Sequence, residues 1–219
     1  EMQITLGTPV TNQVCAVVGT VAPPEQNLVS IAMLSHTLKK EGAARVIAVL
    51  PYMSYSRQDK AEAGKSLAVQ WLGEVLKASG ADEVWTIDIH SDFDAKLFPI
   101  KLRSLSPASL FASRILELKQ TGVTVVAPDT GAIKRAQALS DAAAVIRPVC
   151  YFHKVRLNGV EHLRVFGNVG EKVVIVDDML DTGSTLISCI NELHKVGVQK
   201  IVVAVSHGLF TGSKWKQLF

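Results

Sequence analysis

The stretch Val173-Val174-Ile175-Val176-Asp177-Asp178-Met179-Leu180-Asp181-Thr182-Gly183-Ser184-Thr185-Leu186 constrains the fold of this chain more than any other. An unbroken β-branched run offers no polar side to water, so it predicts a strand covered on both faces, as in a parallel sheet. Two carboxylates stand where that run ends. A third opens a short Asp-Thr-Gly-Ser-Thr loop, and an amphipathic segment follows. Such a loop presents backbone N–H groups at a helix start, where orphan amides and the helix dipole together favour a phosphate. Beside it, Asp177 and Asp178 can accept hydrogen bonds from sugar hydroxyls. Strand, acid pair and loop together point to a sugar phosphate. A helix capped after an acidic strand end would account for one acid, but three crowd this turn.

Apolar strands and amphipathic helices alternate along the rest of the 219 residues. Strands are predicted at Val14–Val21, Arg45–Tyr52, Val84–His90, Val123–Pro128, Val145–Phe152, Lys172–Asp178 and Lys200–His207. Helices are predicted at Glu25–Lys40, Lys65–Ser79, Pro107–Lys119, Ile133–Ser140 and Gly183–Val196. Asn158-Gly159 between two extended runs is a hairpin signal. The βαβαβ pattern occurs twice, with a hinge near Ser104–Pro107, which predicts an α/β protein of two similar halves, 1–105 and 106–219. Ligands of parallel sheets sit beyond the carboxyl ends of the strands. Four segments fall there: 51–60, 88–92, 129–135 and 177–185.

Composition excludes more than it selects. Hydrophobic residues make up 48%, enough for a substantial core. With 23 basic against 20 acidic residues, charge gives no case for nucleic acid. No apolar run reaches the roughly 18 residues a membrane helix needs, and no signal peptide opens the sequence. Cys15, Cys150 and Cys189 are widely spaced, without a CxxC pair, as expected of free thiols in a reducing cytoplasm.

The Asp177–Thr185 loop resembles the phosphoribosyl pyrophosphate motif shared by type I phosphoribosyltransferases and ribose-phosphate diphosphokinases. The resemblance implies ribose hydroxyls on Asp177 and Asp178, and a 5-phosphate held by Asp181, Thr182, Gly183, Ser184 and Thr185. Other segments separate the two families. Pro51-Tyr52-Met53-Ser54-Tyr55-Ser56-Arg57-Gln58-Asp59 looks like the diphosphokinase segment Pro-Tyr-x-x-Tyr-x-Arg-Gln-Asp, which implies ATP contacts for Arg57, Gln58 and Asp59. Arg57 offers a planar fork of donors to phosphate. Asp88-Ile89-His90 is similar to the family's Asp-Leu-His, which implies a metal or triphosphate contact at His90. Asp129-Thr130-Gly131-Ala132-Ile133-Lys134-Arg135 resembles the pyrophosphate loop, with Asp129 toward magnesium and Thr130, Gly131, Lys134 and Arg135 around the diphosphate. His153-Lys154-Val155-Arg156 resembles His-Lys-x-Arg at the root of a catalytic loop. In a strand, Lys154 and Arg156 share one face, so both cations can meet one developing charge. Read without the family, these last segments are equally a solvated loop, a turn and an edge strand with solubilising charges.

The resemblance runs from about Val14 to Ser213 with its motifs in family order. It implies two phosphoribosyltransferase-like halves, each a mostly parallel sheet flanked by helices, the first on the ATP side and the second holding ribose 5-phosphate. The expected activity is transfer of the diphosphoryl group of ATP to O1 of ribose 5-phosphate, with Mg2+ as cofactor. A homodimer or higher homo-oligomer is implied, with no nucleic-acid or membrane partner. A phosphoribosyltransferase, or an inert relative acting as a binding or regulatory subunit, stays open. Against the family pattern both ends are expected to be short. Ser91-Asp92-Phe93 replaces the family's Ala-Ser-Gln, and Thr130 and Ala132 stand where small residues or glycine are usual.

Overall fold

Each long apolar run becomes a parallel strand, and each amphipathic segment between runs becomes the helix that covers it. The computed structural model describes residues 2–91, 94–117, 122–144, 148–157 and 160–219, with backbone alone for Asp94, Arg156, Leu157, Val160 and Glu161. The chain divides into two units, Glu1–Ser106 and Pro107–Phe219.

Unit 1 contains β1 (Val14–Val18), α1 (Gln26–Lys40), β2 (Arg45–Val49), α2 (Ala68–Ala78), β3 (Glu83–Ile87), the short α3 (Asp94–Leu97) and β4 (Lys101–Leu105). Its sheet runs β1-β2-β3-β4, every neighbouring pair parallel. Right-handed crossovers that always step the same way place their helices on one face. The core agrees: Leu28, Ile31 and Leu38 of α1 and Val69, Leu72 and Leu76 of α2 pack on Val17, Val46, Ala48 and Val84. Alternation along the strands sends Val14 and Val18 to the opposite side, 64% and 70% exposed.

Unit 2 contains α4 (Ala108–Glu117), β5 (Thr124–Ala127), α5 (Ile133–Ala142), β6 (Cys150–Leu157), β7 (Val160–Phe166), β8 (Lys172–Leu180), α6 (Ser184–Lys195), β9 (Lys200–Gly208) and a 3-10 turn at Lys214–Leu218. The order is β7-β6-β5-β8-β9, parallel except for the β6–β7 hairpin. After β5 the chain builds outward to β6 and β7, then returns to lay β8 on the other flank of β5. That reversal divides the helices between two faces. On one, α4 and α5 bury Ala112, Ile115, Ala136 and Leu139 against Val125, Val174 and Val176. On the other, α6 buries Leu186, Cys189 and Leu193 against Val126, Phe152, Val173 and Ile175. Covered on both sides, Val173, Val174, Ile175 and Val176 are at most 1% exposed. Full burial of each such side chain contributes on the order of 2 kcal/mol.

The predicted α/β organisation is present, and its boundaries shift where tertiary pairing decides them. Lys101–Leu105 is too polar to read as a strand, yet pairs with β3 from Glu83↔Lys101 to Ile87↔Leu105. The run predicted from Val145 to Phe152 is a strand from Cys150 to Leu157, lengthened by pairing with β7; residues 145–147 lie outside the described set. So do Lys119 at the predicted end of α4, Asp92 and Phe93 of the departure after His90, and Asn158-Gly159 of the hairpin signal. The key strand continues past its acids to Leu180, because β9 goes on pairing with it through Leu180↔Gly208.

Candidate active site

Unit 2 opens a crevice at its strand-order reversal. The β5–β8 register ends at Val126↔Ile175, whereas β8 and β9 still pair at Asp177↔Val205. Asp177 and Asp178 therefore flank the gap left as β5 turns away. In open α/β sheets this switch point is where ligands bind.

The acids occupy it under unequal burial. Asp178 is 4% exposed and lies on the α5 side by strand alternation, while Asp177 is half-buried toward α6. Asp177 Oδ1 accepts the Asp178 backbone N–H at 2.9 Å. Burial pushes the Asp177 carboxyl up to about 8, and the neighbouring Asp178 carboxyl pushes the same way. From α5, Arg135 Nη1 stands 3.8 Å from Asp177 Oδ1 and 4.0 Å from Asp178 Oδ1. Behind them on α6, Cys189 donates its S–H to the Pro128 carbonyl at 3.6 Å. Burial, with Asp177 and Asp129 adding, pushes its thiol up to about 12, so it stays a protonated wall of the site.

The loop after the acids leads into α6 at Ser184, one residue later than the predicted helix start. Gly183 is the N-cap of α6 with φ +84° and contributes no side-chain cap. A β-carbon there would meet Trp215 Cα at 2.9 Å, so both backbone sign and space call for glycine. The Ser184 backbone N–H reaches Thr182 Oγ1 at 3.4 Å, and Ser184 and Thr185 are exposed at the first turn. A first turn of this kind leaves backbone N–H groups directed at an anion. Asp181 accepts a hydrogen bond from the Thr211 hydroxyl.

Across the crevice, the loop after β5 begins with exposed Asp129, whose Oδ1 accepts the Ala132 backbone N–H at 3.0 Å. Thr130 and Gly131 are exposed, and so is Lys134, whereas Arg135 is turned inward. β6 last pairs with β5 at Ala127↔Tyr151 and then continues, paired with β7, through Leu157. The hairpin thus carries exposed His153 and Lys154 past the strand ends, and the β6 backbone continues through Arg156 to Leu157. At roughly 3.3 Å per residue, Lys154 lies about 10 Å beyond Tyr151 along the strand. Phe166 on β7 stacks on Tyr151 at 5.5 Å and meets His153 edge-on at 6.4 Å, which braces the hairpin root.

In unit 1, the segment after β2 folds on itself. The Gln58 N–H donates to the Tyr55 carbonyl at 3.0 Å, with Tyr55 at φ +72°. Tyr55 meets Trp71 edge-on at 5.8 Å. Arg57 and Gln58 are exposed, and Gln58 Oε1 accepts the Ser66 hydroxyl at 2.7 Å. Asp59 is buried. After β3, Asp88 turns at φ +47°, its N–H donating to the Leu105 carbonyl, and the Ile89 N–H donates to Ser104 Oγ. That turn leaves His90 exposed.

The structure therefore gathers Asp129–Arg135, Lys154 and Asp177–Thr185 at one end of the second sheet. It puts Arg57, Gln58, Asp59 and His90 on strand-end loops of the first. Sequence reasoning missed Thr211, which meets Asp181 from 30 positions downstream, and Trp215, which packs on Gly183 from 32 positions downstream. No spacing signal marks them. Among the described residues, no three His, Cys, Asp or Glu side chains form a group that could hold a metal, and no helix is long and apolar enough to cross a membrane.

A reversed parallel sheet with an acid pair and a glycine-turned loop at its switch point is the arrangement expected of the phosphoribosyltransferase-like fold. Comparison with known proteins agrees: the phosphoribosyl transferase domain matches residues 102–217, and the N-terminal domain of ribose phosphate pyrophosphokinase matches residues 1–80. A ribose-phosphate pyrophosphokinase of Pyrococcus furiosus is 32% identical, covering 87% of this chain and 68% of the relative. One from Mycobacterium tuberculosis is also 32% identical, covering 87% of this chain and 60% of the relative. The crystal structure of phosphoribosylpyrophosphate synthetase from Mycobacterium smegmatis superposes with a TM-score of 0.84 at 27% identity, over all of this chain and 72% of that one. The chain belongs to the ribose-phosphate pyrophosphokinase family. It spans about 60% of the length of the first curated relatives it matches.

Proposed function

We propose that this protein transfers the diphosphoryl group of ATP to O1 of ribose 5-phosphate, giving AMP and 5-phosphoribosyl 1-diphosphate. The observation that carries the reading is the pairing of Asp177 and Asp178 with the Gly183 turn at the β5–β8 switch point. The loop amides hold the 5-phosphate and the acids accept the ribose hydroxyls, which fixes the direction of O1. That oxygen attacks the β-phosphorus of ATP; the new O–P bond forms as the bond to the α,β-bridging oxygen breaks, and AMP leaves. Little covalent chemistry is asked of the protein, so positioning and charge neutralisation set the rate. Lys154 and Arg156 supply cationic stabilisation of the transferring group. In unit 1, Arg57 and Gln58 serve as nucleotide contacts and His90 as a metal or triphosphate contact.

Magnesium suits the donors present. Asp129 is an exposed carboxylate on the diphosphate loop, and a hard cation that keeps several waters needs only one or two such oxygens from protein. When bound, it would neutralise phosphate charge. Cys150 and Cys189 are buried thiols, in keeping with a reducing cytoplasm. A homo-oligomer is the expected assembly, to be read from its mass in solution.

The test is incubation with ATP, Mg2+ and ribose 5-phosphate. AMP release that depends on the pentose supports the proposal. Nucleotide formation from a free base and 5-phosphoribosyl 1-diphosphate, without AMP release from ATP, would support a phosphoribosyltransferase instead.

A further inference from the structure

Lys134 and Arg135 are adjacent cations at the start of α5, and the helix turns them to different tasks. Lys134 is exposed, whereas the Arg135 side chain is 14% exposed and faces the acid pair. Its Nη1 lies 3.8 Å from one carboxylate and 4.0 Å from the other, and those side chains are themselves only 16% and 6% exposed. The acids project to opposite sides of β8 by alternation, so only a group at the open edge, where β5 has turned away, can reach both. Arg135 comes from the first turn of α5, which starts at that edge.

The electrostatics suit a cation at this place. Two adjacent carboxylates withdrawn from water repel each other and favour a shared proton, and a protonated carboxyl loses acceptor capacity toward sugar hydroxyls. Asp129 at the mouth adds further negative charge, and the Cys189 thiol adds no positive charge. A guanidinium is always charged and can face two oxygens through its planar fork.

We infer that Arg135 is a positioning residue that orients Asp177 and Asp178 toward the sugar hydroxyls, while Lys134 is the cation of this loop that meets the diphosphate. The inference rests on the reading that the crevice takes ribose 5-phosphate.

Calorimetric titration of the whole chain with ribose 5-phosphate, and separately with inorganic pyrophosphate, tests it. R135Q should weaken ribose 5-phosphate binding about 10- to 50-fold while pyrophosphate binding changes less than about twofold, since a buried charged partner is lost at one ligand only. R135K should recover part of the loss, and K134Q should show the opposite ligand preference. Loss of pyrophosphate with ribose 5-phosphate retained in R135Q would overturn the inference. Equal loss of both together with a lowered Tm would overturn it too, by making the role structural. A wild-type chain that binds pyrophosphate but not ribose 5-phosphate would remove the sugar-phosphate reading, and this inference with it.

Discussion

Glu83 in unit 1 and Asp177 in unit 2 are both carboxylates on interior parallel strands, and their surroundings treat them oppositely. Glu83 is 3% exposed and accepts the Trp85 indole N–H at 2.9 Å. Around it stand Arg45 in hydrogen-bond contact, Lys101 at 3.3 Å and Arg103 at 3.6 Å. The indole hydrogen bond, followed by Lys101 and Arg45, holds its carboxyl below the usual range against the opposing effect of burial. Asp177 has a second acid beside it and one guanidinium at 3.8 Å, and its carboxyl is pushed up to about 8. The first acid is satisfied by the protein. The second is pushed toward its protonated form by burial and a like neighbour, the kind of perturbed group that clusters at functional sites.

Strand order explains where each kind of acid can exist. The sequential order in unit 1 lets neighbours run side by side without a gap, so charges on its outer face meet across strands and close into a cluster. The reversed order in unit 2 separates the ends of β5 and β8 and exposes two acids to a crevice. The difference predicts that substitutions in unit 2 act on function, with stability as a secondary effect, and that substitutions around Glu83 act on stability alone.

The largest expected effect is at Lys154. K154A should lower turnover by about 10²- to 10³-fold, about 2.7–4 kcal/mol of lost transition-state stabilisation, with ribose 5-phosphate affinity kept. Pre-steady-state measurement of AMP formation checks it, and near-normal turnover would detach the hairpin from the chemistry. G183A comes next. A side chain at φ +84° pressed on Trp215 should cost about 1–3 kcal/mol in stability and abolish phosphate binding, measured by thermal melting and phosphate titration.

D177N sharpens the contrast between the acids through pH. With its folded carboxyl raised to about 8 from an ordinary value of 3.8, native Asp177 holds its proton more tightly than the unfolded chain does. Its contribution to stability is complete below pH 3.8 and is lost as pH rises through about 8. D177N removes that loss, so its Tm should exceed the wild type's by about 5 °C at pH 8.5 and by much less at pH 5. E83Q should do the reverse and least, lowering Tm by about 2 °C at pH 7, because its cationic partners are half-exposed and screened. A depressed carboxyl contributes above its unfolded value of 4.5, so that difference should fade as pH drops below it. An E83Q variant that loses ligand binding while melting normally would break the comparison.

What the sequence made legible follows from local physics. The run Val173–Val176, its acids and the Gly183 turn are contiguous, so period, burial and cap chemistry could all be read in one window. Lys154 and Arg156 share a strand face for the same local reason. β4 was not legible, since Lys101–Leu105 has polar residues at alternate positions and becomes a strand only through β3. The strand-order reversal is a property of pairing partners, which no window contains. Thr211 on Asp181 and Trp215 behind Gly183 are long-range contacts of the same kind. Arg135 belongs by its motif to the diphosphate loop, and its direction toward the acids is set by where α5 lies on the sheet.

The most direct test of the crevice as the pentose site is amide chemical-shift mapping of the chain titrated with ribose 5-phosphate. Shifts should concentrate at 129–132, 177–178 and 181–186, and D178A should abolish them. Saturable shifts confined to unit 1, or undiminished shifts in D178A, would contradict a sugar-phosphate site at the β5–β8 switch point.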